Sequence, residues 1–164
     1  MIELNKMGKW HQFLNANRVF LPVIVADESA YYETKGEKIP IDLAKSVKDG
    51  RLSLIETEDI EEIDARNRLE SVFQEEELDD GEFQAIAILL RENREEMHFC
   101  TADRSAIIAC SLLGLEDCCI SLETVLTSCR MKIRLKSHFS EKTMKQWRKE
   151  GRTRRIQRTD WSKE

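Results

Sequence analysis

Apolar residues along the chain fall into short runs separated by charged stretches, and the spacing within the runs changes along the sequence. Val19-Phe20-Leu21 reads as a strand end, and Pro22 suits the first turn of a helix. That helix is predicted over Val23–Glu33, with Gly36 as its stop signal. Residues 39–57 predict a short helix or loop, a turn at Asp49-Gly50 and a strand in RLSLIET. In 58–77, Ile60, Ile63, Leu69, Val72 and Phe73 are spaced for one face of a helix.

ELDDGEFQAIAILL, Glu77 to Leu90, turns from acidic to apolar within a few residues, which predicts a capped helix with a buried face over Phe83–Leu90. Met97–Thr101 is a compact strand pattern. Asp103 opens a helix that stops at Gly114. Asp117–Ile120 predicts another short strand, and Ser121 caps a helix through Leu126. Alternating helices and strands imply parallel strands joined by crossover helices, an α/β fold.

Ligands in such folds bind at the carboxyl ends of strands. Asp103 stands there, just past Thr101. Asp79 and Glu82 begin the preceding helix, and Glu28 follows the first strand. Gathered at one end of a sheet, these carboxylates repel one another, and a divalent cation relieves the repulsion. Acids at helix starts also cap amides and complement the macrodipole. Spacing alone does not separate the two roles.

The ordered set VFLPVIVADE (Val19–Glu28), LDDGEFQAIAI (Leu78–Ile88), CTADRSAIIACSLLGL (Cys100–Leu115) and ISLETVL (Ile120–Leu126) resembles the PIN domain family, in particular its VapC-like group. The likeness spans roughly residues 10–130. It implies a PIN-like fold, a short central parallel sheet with helices on both faces. It further implies a metal-dependent endoribonuclease, the toxin of a toxin–antitoxin pair, using Mg²⁺ or Mn²⁺. By position, Glu28, Glu82 and Asp103 are the implied catalytic acids. Asp79 joins them as a metal ligand, Thr101 supports the metal-bound water or a carboxylate, and Gly81 gives a tight turn. Asp80 falls outside the pattern. The family opens with a strand ending in aspartate, whereas no Asp precedes Asp27 here. A member lacking that first strand, binding RNA or a protein partner without cutting, is the alternative expectation. Expected partners are RNA, an antitoxin protein and a second copy in a homodimer.

Composition refines this picture. The 164 residues suggest one domain with a tail, divided as 1–129 and 130–164. With 41% hydrophobic and 35% charged residues the chain reads as soluble and globular. It has no apolar run long enough for a membrane span and no leader pattern, so a cytoplasmic location is expected. The five cysteines are odd in number and form no CxxC pair, so packed thiols are expected rather than zinc or disulfides. No phosphate-loop or dinucleotide fingerprint is present. Charge is divided unevenly: residues 130–164 hold 13 of the 26 Lys and Arg but 4 of the 31 Asp and Glu. This basic segment, with Phe139 and Trp147 interleaved, is a candidate RNA-facing arm through Arg148, Lys149, Arg152, Arg154 and Arg155. Equal readings dock it on the acidic body of its own or another chain, or leave it a solvated, partly disordered tail.

Overall fold

A computed structural model describes residues 1–29, 31–34, 36–70, 78–91 and 97–161, with the backbone alone over 158–161. The chain divides into two compact units, Met1–Glu56 and Thr57–Glu164. The sequence places a boundary at residue 129 instead. The basic C-terminal segment belongs to the second unit.

The first unit begins with helices α1 (Ile2–Lys6) and α2 (Trp10–Ala16). The Trp10 and Phe13 rings stack with centroids 5.9 Å apart and are both buried. Strand β1 (Val19–Pro22) leads into α3 (Val23–Glu28). The predicted helix ends here, five residues early. Tyr31–Thr34 is strand β2, paired antiparallel with β3 (Glu37–Pro40) around Gly36 at φ +82°. Aromatic and threonine side chains favour the strand, and the left-handed glycine closes a hairpin rather than a helix. Helix α4 (Leu43–Lys48) is capped by Asp42, which accepts the Lys45 N–H at 3.0 Å. Strand β4 (Leu52–Ile55) follows the Asp49-Gly50 turn and lies parallel to β1, with Val19 opposite Leu52.

The second unit is mainly helical: α5 (Asp59–Glu70), α6 (Asp80–Arg91), α7 (Arg104–Leu112), α8 (Leu122–Ser128) and the long α9 (Glu141–Trp161). Strands β5 (Phe99–Cys100) and β6 (Cys119–Ile120) form a parallel pair. Apolar residues of α5, α6, α7 and α9 share one core, among them Leu69, Ile86, Ile107 and Met144. In α5 the buried residues are Ala65 and Leu69, whereas Ile60 and Ile63 are 72% and 58% exposed. The face predicted from the isoleucines is therefore not the packed one. Val72 and Phe73 lie outside the described residues.

The molecule is a mixed α/β protein. Among the described residues its strands form three separate two-stranded ladders, two parallel and one antiparallel, in place of the single central parallel sheet expected. The length of the strands is the physical reason: β5 and β6 contribute two residues each, and helix packing carries the second unit.

Helix α9 packs against α7. Gly151 permits the approach. A Cβ at this position would stand 2.5 Å from Ser111 Cβ and 3.1 Å from the Ile108 carbonyl oxygen. Gly to Ala within a helix ordinarily gains about 0.5–1 kcal/mol. Here the clash reverses the sign, and Gly151→Ala is expected to destabilise the fold by about 1–3 kcal/mol. A lower urea midpoint at unchanged slope is the expected result; a raised midpoint refutes this packing.

Candidate active site

Helix α6 sets the acidic side of the site. Gly81, Phe83, Ile86, Ala87, Ile88 and Leu89 are buried, which fixes the rotation of the helix. Its first turn is closed by the Asp79 carbonyl, which accepts the Glu82 and Phe83 N–H groups at 3.0 and 2.9 Å. Residues three apart are neighbours on a helix surface, so Asp79 stands beside Glu82. Asp80 points elsewhere and is exposed. Glu82 is half-buried, held between buried Gly81 and Phe83. Gly81 lies inside the helix and is not among the glycines with positive φ, so it is a packing residue rather than the tight turn expected. Contacts to α5 steady the helix: Gln84 donates to Glu62 at 3.0 Å, and Arg91 pairs with Glu61 at 3.0 Å.

Asp103 enters from the next connection, just past the carboxyl end of β5. It is the N-cap of α7, and its Oδ1 accepts the Ala106 N–H at 2.9 Å. Thr101 Oγ1 accepts the backbone N–H of Asp103 at 3.0 Å. The threonine thus shapes the turn that presents Asp103, through the backbone rather than the carboxylate. The cap engages one carboxylate oxygen, Oδ1.

These acids act on one another. Burial pushes the Glu82 carboxyl up to about 7, and the negative charges of Asp103 and Asp79 add to the effect. Behind it lie buried thiols. Cys110 is pushed well above the ordinary thiol range, first by its hydrogen bond with Cys119 and by burial, then by the charges of Cys119, Cys118 and Glu82. All five cysteines are free thiols. A carboxylate that titrates near neutrality beside two others is suited to hold or move a proton, and its oxygen donors match a hard divalent cation.

Of the four acids named from the sequence, the second unit brings Glu82 within electrostatic reach of both Asp79 and Asp103. Glu28 belongs to the first unit, exposed at the carboxyl end of α3. Helix-start capping does not explain an acid at that end, where the macrodipole is unfavourable to it. Among the described residues no group of three or more His, Cys, Asp or Glu side chains is arranged to hold a metal ion.

The basic arm is largely folded onto its own unit. Arg152 and Arg155 converge on the buried Glu116, at 3.3 and 2.9 Å. Burial pushes the Glu116 carboxyl up, but its own backbone N–H and the two guanidiniums outweigh this and hold it below the ordinary carboxylate range. Arg154 pairs with Glu150 at 2.7 Å, and Arg148 donates to the Cys119 carbonyl. Of the five candidate RNA contacts, Lys149 stands exposed on the outward face. Lys142, Lys145 and Lys149 form the outward stripe, which the sequence reading passed over. Their i, i+3, i+7 spacing is the signal that identifies it.

No protein-family model matches the chain, and no curated protein or solved structure matches it either. The chemistry of Glu82 can be tested on its own terms. The folded protein binds this proton more tightly than the unfolded chain, whose carboxyl sits near 4.5. The contribution of Glu82 to stability is therefore full below pH 4.5 and is lost as pH rises to about 7. Glu82→Gln removes the penalty. It is expected to raise Tm at pH 8 by about 2–4 °C, which corresponds to about 1 kcal/mol after discounting for partial exposure. At pH 4 the variant and the parent are expected to melt together. Equal melting at both pH values contradicts the repulsion.

Proposed function

We propose that the protein is a divalent-metal-dependent hydrolase of RNA phosphodiester bonds, a PIN-like ribonuclease acting as the toxin of a toxin–antitoxin pair. The observation that carries this reading is the Glu82 carboxyl, raised to about 7 by burial and by Asp103 and Asp79. The residues fit a cation of the Mg²⁺ or Mn²⁺ kind. Mg²⁺ keeps several waters and needs one or two carboxylates, so a closed cage of protein ligands is not required. Glu82 and Asp103 would hold it, with Asp79 adding negative charge. Such a cation supplies charge neutralisation at the phosphate and a more acidic water.

The chain's own residues do the rest. With its carboxyl titrating near neutrality, Glu82 can accept a proton at Oε above that pH, which suits general base catalysis. Asp103 is anchored by its cap and by the Thr101 turn, so ordering its carboxylate for a ligand costs little entropy. The Lys142, Lys145 and Lys149 stripe offers cations for the RNA backbone.

A second reading is a PIN-like module that binds RNA or a protein partner without cutting. The exposed Lys142, Lys145 and Lys149, which can meet a phosphate backbone without a metal, favour it. One assay separates the two: cleavage of structured RNA with Mn²⁺ or with EDTA, for the parent and for Asp103→Asn. Asparagine caps helices as well as aspartate, so folding is expected to survive the change. The hydrolase is expected to cut only with metal and to lose about 10²–10⁴-fold in the variant. RNA binding with no metal-dependent cleavage supports the second reading.

A further inference from the structure

The first unit contains two arginines in a setting unlike those of α9. Arg18 and Arg51 immediately precede Val19 and Leu52, the first paired residues of the parallel strands β1 and β4. The register therefore sets them side by side at the amino ends of neighbouring strands, whose backbones run roughly 4.8 Å apart. Both are exposed. The Arg18 guanidinium lies 5.5 Å from the Phe20 ring, two residues along the same strand. Among the described residues neither arginine pairs with a carboxylate, whereas Arg152, Arg154 and Arg155 all do.

The pair lines an open cavity of about 420 Å³ together with Asn15, Asn17 and Gly50. No acid contributes to its lining. Gly50 sits at φ +68° and a Cβ there would meet nothing within 4 Å, so the rim is open on that side. Asn17 is held in place by donating to the Phe13 carbonyl at 2.9 Å. Like charges placed opposite each other on adjacent strands are unfavourable, and an oxyanion between them reverses the sign. Guanidinium groups bind phosphate through paired N–H donors, and the cavity is large enough for a nucleotide.

We propose that Arg18 and Arg51 form a phosphate-binding site that takes a nucleotide phosphate, either free or within an RNA strand. The site lies in the first unit and requires no metal, so it does not rest on the hydrolase reading. The experiment is calorimetric titration in EDTA at constant ionic strength, with adenosine 5′-monophosphate, adenosine and a short single-stranded RNA as separate ligands. Adenosine is expected not to bind. Binding of the phosphate-bearing ligands is expected to weaken about tenfold in Arg18→Gln and in Arg51→Gln, and to vanish in the double variant. Tm is expected to stay unchanged because both side chains are exposed. Tighter binding of the RNA identifies a strand as the source, and binding of the monophosphate at equal or greater affinity identifies the free nucleotide. If neither phosphate ligand loses affinity in the double variant, or neither binds the parent, the site does not exist.

Discussion

The burial of the Glu82 carboxyl, with the charges of Asp103 and Asp79 beside it, is the constraint on which the acidic start of α6 depends. Ionising a half-buried carboxyl beside two others is unfavourable, and the raised carboxyl of Glu82 records that penalty. The side chain cannot escape by rotating the helix. Its neighbours Gly81 and Phe83 are buried, and Ile86 and Leu89 continue the same packed face. Apolar burial on α6 thus holds in place a charge that electrostatics disfavours. Perturbed groups of this kind concentrate at functional sites, because a site must keep what folding alone would discard.

The opposite charge is handled in two ways. In the second unit the arginines of α9 are spent on structure. Gly151 lets the helix approach α7, and Arg152 and Arg155 close on Glu116 beneath it. Glu116 is buried while Arg152 and Arg155 reach it from the surface, so this network fastens the helix to its own unit. Cations available to a ligand lie elsewhere, in the outward lysines of α9 and in the Arg18 and Arg51 pair. Positive charge that is matched internally belongs to folding, and positive charge left unmatched is what a phosphate can use.

Much of this was legible in the residues. Ser121 caps α8, Asp103 caps α7 and Gly114 ends α7 at φ +74°, because each rests on local hydrogen bonding that the sequence specifies directly. Asp79 and Glu82 were set apart from Asp80 by the resemblance to the PIN pattern and not by spacing. Other features depend on tertiary contacts. Ile60 and Ile63 follow a helical period yet face outward, because α5 packs through Ala65 and Leu69 instead. Tyr31–Thr34 continues the apolar rhythm of α3 yet pairs with β3 across Gly36. The role of the arginines in α9 depended on Glu116, a lone acid whose burial no local pattern announces. The adjacency of Arg18 and Arg51 required the strand register.

The titration of Glu82 itself is the most direct test of these relations. Side-chain carboxyl carbon shifts, followed by NMR from pH 3 to pH 9 with Glu82 assigned through Glu82→Gln, report its midpoint. A midpoint at about 7 is expected, falling when Mg²⁺ is added and when Asp103 is replaced by Asn. A midpoint near 4.5 that neither change moves contradicts the coupled acidic site.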